Sequence, residues 1–155
     1  MAGVVSAYGA TVKPKLASIA IGGAPEDQLR GPLEVLLRDL AEILPVNSVH
    51  LVGETTLTDL KTRPDYAVTV GIALVGFIEV KAPGKGADPR KFNDPHDNER
   101  WAKLKSLPNL IYTDGNSFSL WRDGKPEGAI VHLEGNVETS GAKLAGTHDA
   151  TAARK

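Results

Sequence analysis

The residues with the clearest capacity for chemistry lie between Arg63 and Gly86, in the stretch RPDYAVTVGIALVGFIEVKAPGKG. Pro64-Asp65 opens it, an apolar run follows, and the run ends on Glu79, Val80 and Lys81. Two carboxylates brought together can share a divalent cation, and a lysine beside them can orient a water molecule or steady an anion. If Ile72 to Lys81 is a strand, alternation puts Val75, Phe77, Glu79 and Lys81 on one face and Leu74, Ile78 and Val80 on the other. Both faces are then apolar until the strand's end. That is the pattern of a covered central strand, in which an acid and a lysine are costly unless paired or used.

The segment Asp65 to Val70 is also strand-like, and Gly71 allows the chain to reverse. Folding the two runs together about residues 71 to 73 brings Asp65 opposite Glu79, within one residue. Opposed residues in an antiparallel pair have Cα atoms ~4.5–5.5 Å apart, close enough for one cation to bridge their carboxylates. The spacing alone is a weak signal. Its weight comes from the apolar strand that carries it and from the flanking segments.

Upstream, Val4, Val5, Tyr8, Val12, Leu16 and Ile19 recur at near-helical spacing, so residues 1–21 are expected to form a helical arm packed on the domain, broken or kinked at Pro14. Pro25 fits the first position of a second helix, with Glu26 and Asp27 in its first turn. Leu29, Leu33, Leu36, Leu37, Leu40, Ile43 and Leu44 supply its buried stripe up to Pro45. Glu26 reads either as a dipole-favourable acid or as part of the site. Ser48 to Glu54 suggests a first strand, and Thr55 to Thr62 a polar connection.

After the central pair, the loop Ala82 to Lys91 holds Gly84, Gly86, Lys85, Arg90 and Lys91. Its cations could meet phosphate, or the loop could simply be solvated. Asp94-Pro95 with Asp97 three residues on forms a helix start signal. Trp101, Leu104 and Leu107 mark the buried side of that helix, while Arg100, Lys103 and Lys105 make other parts of its surface basic. From Asn109 onward, apolar runs separated by Asp114-Gly115 and Asp123-Gly124 predict an antiparallel meander with Trp121 in the packing. Residues 136–155, rich in Gly, Ala and Thr, read as a linker or tail leading to a further domain.

The chain has 155 residues, enough for one domain that buries about 70% of its unfolded surface. The absence of cysteine excludes disulfides and thiolate zinc sites. His50, His96, His132 and His148 show no ligand spacing. A net charge of −1 leaves no general electrostatic footprint for nucleic acid, so any DNA contact has to rest on local positive charge. No apolar run approaches the ~20 residues of a membrane span, and no secretory leader is visible. A cytoplasmic location without membrane association is expected.

Pro64-Asp65 followed by Glu79-Val80-Lys81, behind a leading helix with Glu26, resembles the PD-(D/E)XK nuclease superfamily, in the arrangement of restriction endonucleases and Mrr-like domains. The stretches PEDQLRGPLEVLL, RPDYAV, GFIEVKAPGKG and LPNLIYTDGNSFSLWRDG are similar to the N-terminal nuclease domain of large bacterial restriction-modification or phage-defence polypeptides in which a DNA methyltransferase follows. The resemblance spans roughly residues 20 to 135. It implies Mg²⁺, with Mn²⁺ as a substitute, bound by Asp65, Glu79 and the carbonyl of Val80, with Glu26 completing the site from its helix.

It further implies DNA as substrate, Lys81 as the residue that positions or polarises the attacking water, and downstream methyltransferase or helicase domains or subunits as partners. With two carboxylates beside it, Lys81 is expected to act as an electrostatic and orienting group rather than as the general base. Related sequences often carry Gln before the aromatic residue of the later helix, where this chain has Arg100 before Trp101.

The expected architecture is an α/β domain over residues 1–135: a mixed central sheet in a restriction-endonuclease-like core, the helix from Pro25 on one side and that from Pro95 on the other. The expected function is metal-dependent DNA cleavage. The alternative is a catalytically silent nucleic-acid-binding or docking module on the same fold.

Overall fold

A computed structural model of the chain describes residues 2–18, 24–44, 48–53 and 63–146. The elements in order are α1 (Ala2–Ala17), α2 (Pro25–Ile43), β1 (Val49–Gly53), β2 (Tyr66–Val70), β3 (Ala73–Val80), α3 (Pro95–Leu104), β4 (Leu110–Thr113), β5 (Ser117–Arg122), β6 (Lys125–Pro126) and β7 (Val131–His132). One mixed sheet runs β1-β2-β3-β4-β5-β6, with β7 also on β5. Among the described residues only β3 and β4, the strands joined through α3, pair in parallel. The connection expected over Thr55 to Thr62 lies outside the described residues.

The sheet separates two apolar layers. On one face Val5, Tyr8, Val12 and Leu16 of α1 and Leu29, Leu33 and Leu36 of α2 pack with Tyr66, Ile78 and Val80. On the other, Leu104 and the half-buried Trp101 of α3, with Leu107 just beyond it, cover Phe77, Leu110, Tyr112 and Trp121. The expected placement of one helix on each side therefore holds, and Trp121 is core, its indole N–H bonded to Ser119 Oγ at 2.7 Å.

Three local readings change. The arm helix runs on through Pro14 to Ala17 instead of breaking there. Proline removes one backbone hydrogen bond, but Val5, Tyr8, Val12 and Leu16 are all buried, and Tyr8 adds a bond from its hydroxyl to the Gly115 carbonyl at 2.7 Å. The leucine stripe of α2 is buried or partly buried as far as Leu40, whereas Ile43 and Leu44 are exposed. β3 is covered only from Gly76 onward, and Ala73, Leu74 and Val75 are exposed. Its parallel partner β4 begins its pairing at Phe77, so the first residues of β3 have a strand neighbour only on the β2 side.

The segment after Gly135 differs more. Val137 and Leu144 are nearly inaccessible, in the same layer as α1 and α2. Glu134 bridges to Ala145, and Val137 N–H donates to Asn116 Oδ1 at 2.9 Å. The turn at Gly141–Lys143 lies so close to α1 that a Cβ at Gly9 would collide with the Gly141 carbonyl. Residues 136–146 are thus part of the packed domain rather than a linker, because two apolar side chains without helical periodicity suffice to anchor them.

The meander forms as expected. Asp123 and Gly124 have φ of 52° and 76°, the two positive values that a type I′ turn requires. Among the described residues no helix is long and apolar enough to cross a membrane.

Candidate active site

The register of the central hairpin decides where the acids meet. Near the turn, Val70 pairs with Ala73 and Thr69 with Leu74; past a bulge, Val68 pairs with Gly76 and Tyr66 with Ile78. Val75 is the extra residue, and its presence shifts every later pair by one. If Val75 were paired with Val68 instead of bulging, Asp65 would face Ile78. With the bulge the next step of the register sets Asp65 against Glu79. Gly76 is required beside the bulge, since a Cβ there would lie 2.6 Å from the Asn109 carbonyl.

The two acids are tied directly. Asp65 N–H donates to Glu79 Oε1 at 3.3 Å, and Val80 N–H donates to Asp65 Oδ2 at 2.6 Å. Lys81 N–H donates to the Thr113 carbonyl at 2.7 Å, carrying the parallel pairing one residue past β3. Alternation then puts Glu79 and Lys81 on the α3 side.

Asp65, Glu79, Lys81 and Asp97 each have a charged partner. Glu79, 1% exposed, is gripped by both arms of Arg100, Nε to Oε2 at 2.5 Å and Nη2 to Oε1 at 2.9 Å. Arg100 Nη2 also donates to the Arg63 carbonyl at 2.7 Å. Arg30 Nη2 donates to Asp65 Oδ1 at 2.6 Å. Lys81 Nζ lies 2.9 Å from Asp97 Oδ1 and 3.4 Å from Glu79 Oε2, and the second oxygen of Asp97 is paired with Lys85. These groups line an open cleft of about 430 Å³, together with Glu26, Val80, Asp94 and His96.

Burial pushes the Asp65 carboxyl up to about 7, and the Glu79 carboxylate beside it adds to the effect; the Val80 amide and Arg30 offset this only in part. For Glu79, burial acts upward too, but the hydrogen bonds from Arg100 and Asp65 and the charge of Lys81 outweigh it, and its carboxyl is held below the ordinary value. Burial likewise works against the Asp97 carboxylate, and Lys85 and Lys81 reverse the balance and keep it low. Glu79 is thus held ionised beside an Asp65 carboxyl that burial keeps protonated to higher pH. Two adjacent carboxyl groups are hard oxygen donors of the kind that suit a hard divalent cation such as Mg²⁺.

The cleft gathers Asp65, Glu79, Val80, Lys81, Lys85 and Arg100, and Glu26 lines it from α2. Among the described residues, however, no three acids or histidines close into a ready-made ligand cluster. Arg90 and Lys91 are not part of the cleft lining. The Arg90 guanidinium grips Asp88, with Nε to Oδ1 at 2.9 Å, and lies 5.0 Å from the Trp121 ring, while Lys91 is exposed. Arg100 lines the cleft with its guanidinium on Glu79.

Arg30, Arg63 and Asp97 were not identified from sequence as site residues. Helical spacing held a signal for two of them. Arg30 is four residues after Glu26 and Asp97 three before Arg100, so each shares a face with a residue already singled out.

No family model and no curated protein matches the chain. A solved structure does. A chain in the cryoEM structure of a DrdV–DNA complex is similar over 82% of this chain and 86% of its own length, with a TM-score of 0.55 and 22% sequence identity. The two share a fold. In this chain that fold sets the ends of β2 and β3 and the start of α3 around a single cleft.

Proposed function

We propose that the chain is a metal-dependent nuclease module of the PD-(D/E)XK type that hydrolyses phosphodiester bonds in DNA. The observation that carries this reading is the adjacency of Asp65 and Glu79 across the β2–β3 pair, with the Lys81 ammonium 3.4 Å from Glu79 Oε2. The DNA bound in the structurally similar DrdV complex supports the choice of substrate.

Asp65 and Glu79 would hold Mg²⁺ or Mn²⁺, with the Val80 carbonyl and Glu26 as further donors. When bound, such an ion supplies Lewis-acid neutralisation of the charge that builds on phosphorus. Lys81, fixed between Glu79 and Asp97, donates a hydrogen bond to the attacking water or to a phosphate oxygen and so orients the two for in-line displacement. One P–O bond forms from water as the opposite one breaks, the water's proton passing to solvent and the leaving oxygen taking up a proton from solvent. Arg30 and Arg100, which neutralise the carboxylates in the metal-free site, are then available to phosphate oxygens, and Lys85 meets the strand at the mouth of the cleft. Arg90 and Lys91 extend the contact outside it. In the same reading the module serves a cytoplasmic restriction-modification or phage-defence enzyme, working with methyltransferase or helicase domains or subunits.

Incubation with supercoiled plasmid tests the proposal. Nicking that needs Mg²⁺ or Mn²⁺ and stops with EDTA is expected. Salt-dependent binding of DNA that never yields product, at any concentration of either ion, contradicts it and indicates a silent binding module.

A further inference from the structure

We infer that Asp97 is a positioning residue of this cleft: a buried carboxylate that holds Lys81 and Lys85 where an anionic substrate meets them. Its role in cleavage rests on the nuclease reading above, whereas its hold on the lysines does not.

A helix-start acid need not be buried, yet the Asp97 side chain is only 6% exposed. Nor does α3 need it as a cap, because Asp94 already accepts the His96 amide at 2.8 Å. Burying a carboxylate is costly unless specific partners compensate. Here the partners are two lysines from a different part of the chain. Oδ1 takes Lys81 Nζ at 2.9 Å and Oδ2 takes Lys85.

The consequence concerns Lys81 most. A lysine stem has four rotatable carbons, and an ammonium held at one point still wanders. Lys81 is held at two, by Glu79 from its own strand and by Asp97 from α3. One N–H is bonded to Asp97 while Glu79 attracts the ammonium from 3.4 Å, which leaves donor capacity for the cleft that Lys81 lines. Lys85 is held less deeply, its side chain 34% exposed, on a loop pinned by Gly86 N–H donating to Asp114 Oδ2 at 2.8 Å. An anion entering the cleft thus meets an outer lysine and then an inner one, both aligned by one carboxylate.

The test uses the full chain with Asp97→Asn, which keeps the shape and removes the charge, and Asp97→Glu, which moves the carboxylate by one methylene. In protein labelled with ¹⁵N-lysine, a slowly exchanging ammonium resonance, assigned by its loss in Lys81→Arg, is expected in the wild type. It should vanish in Asp97→Asn and shift in Asp97→Glu. For plasmid nicking, kcat should fall at least about tenfold in Asp97→Asn with KM and the Mn²⁺ Kd nearly unchanged, and Asp97→Glu should recover part of the rate.

A retained ammonium signal with wild-type kcat in a folded Asp97→Asn protein overturns the inference. So does loss of Mn²⁺ binding in step with the rate, which makes Asp97 a ligand instead. If the wild type cuts no DNA, the nuclease reading falls and the ammonium resonance alone decides for or against positioning. Should Asp97→Asn fail to fold, an unmoved resonance and wild-type kcat in Asp97→Glu overturn the inference equally.

Discussion

Asp65 faces Glu79 because Val75 bulges from β3, and the Asp65 amide closes the relationship by donating to Glu79 Oε1 at 3.3 Å. Two acids that sequence separates by thirteen residues are thereby fixed at a distance set by backbone hydrogen bonds rather than by flexible side chains.

This proximity has a pH signature. The folded protein retains on Asp65 a proton that the unfolded chain releases near the ordinary aspartate value, so between about 4 and about 7 the folded state binds more protons. Stability contributed by this group is therefore present at low pH and lost as pH rises through that window. Asp65→Asn cannot ionise. With EDTA present, the melting temperature of the variant relative to the wild type should rise from pH 5 to pH 8, and a flat or falling difference would contradict the assignment.

Arg100 occupies both oxygens of Glu79, the position a cation needs. Charge-assisted bonds of this kind contribute about 1.5–3 kcal/mol. Arg100→Gln is expected to tighten Mn²⁺ binding by about tenfold or more in calorimetric titration, while weakening DNA binding in the presence of Ca²⁺. Unchanged or weaker Mn²⁺ binding would show that the guanidinium does not compete with metal.

The acid pair was legible in the sequence because strand alternation and the glycine at position 71 fix the pairing to within one residue. The bulge that settles that residue was not, since Val75 differs in nothing from its apolar neighbours. Asp97 was hidden differently: an acid at the start of a helix has an ordinary local explanation, and only the approach of Lys81 and Lys85 gives it another. Val137 and Leu144 lie in a stretch poor in apolar residues, so their burial depends on where α1 happens to be, which no local pattern encodes.

That burial is itself testable. Leu144 is 2% exposed and packs with the α1 and α2 layer. Leu144→Ala should destabilise the domain by about 2–5 kcal/mol in urea denaturation. A loss below about 0.5 kcal/mol, the range of surface substitutions, would mean that residues 136–146 contribute little to the fold.

Tyr112, beside Glu79 in the β3–β4 register, has a hydroxyl that is fully buried and finds no hydrogen-bond partner among the described residues. An unsatisfied buried polar group costs about 1–3 kcal/mol. Tyr112→Phe should therefore be neutral or stabilising in the metal-free protein. A marked fall in melting temperature would reveal a partner for that hydroxyl.

The most direct test of the central claim is single-turnover cleavage of a labelled DNA duplex in Mn²⁺ by the wild type and by Asp65→Ala, Glu79→Ala and Lys81→Ala proteins, each checked for folding. If these residues form one reacting site, each substitution should lower the rate by about 10³-fold or more, with little further loss on combining them. Cleavage by the wild type that persists in folded Asp65→Ala and Lys81→Ala proteins would place the chemistry elsewhere and refute the account.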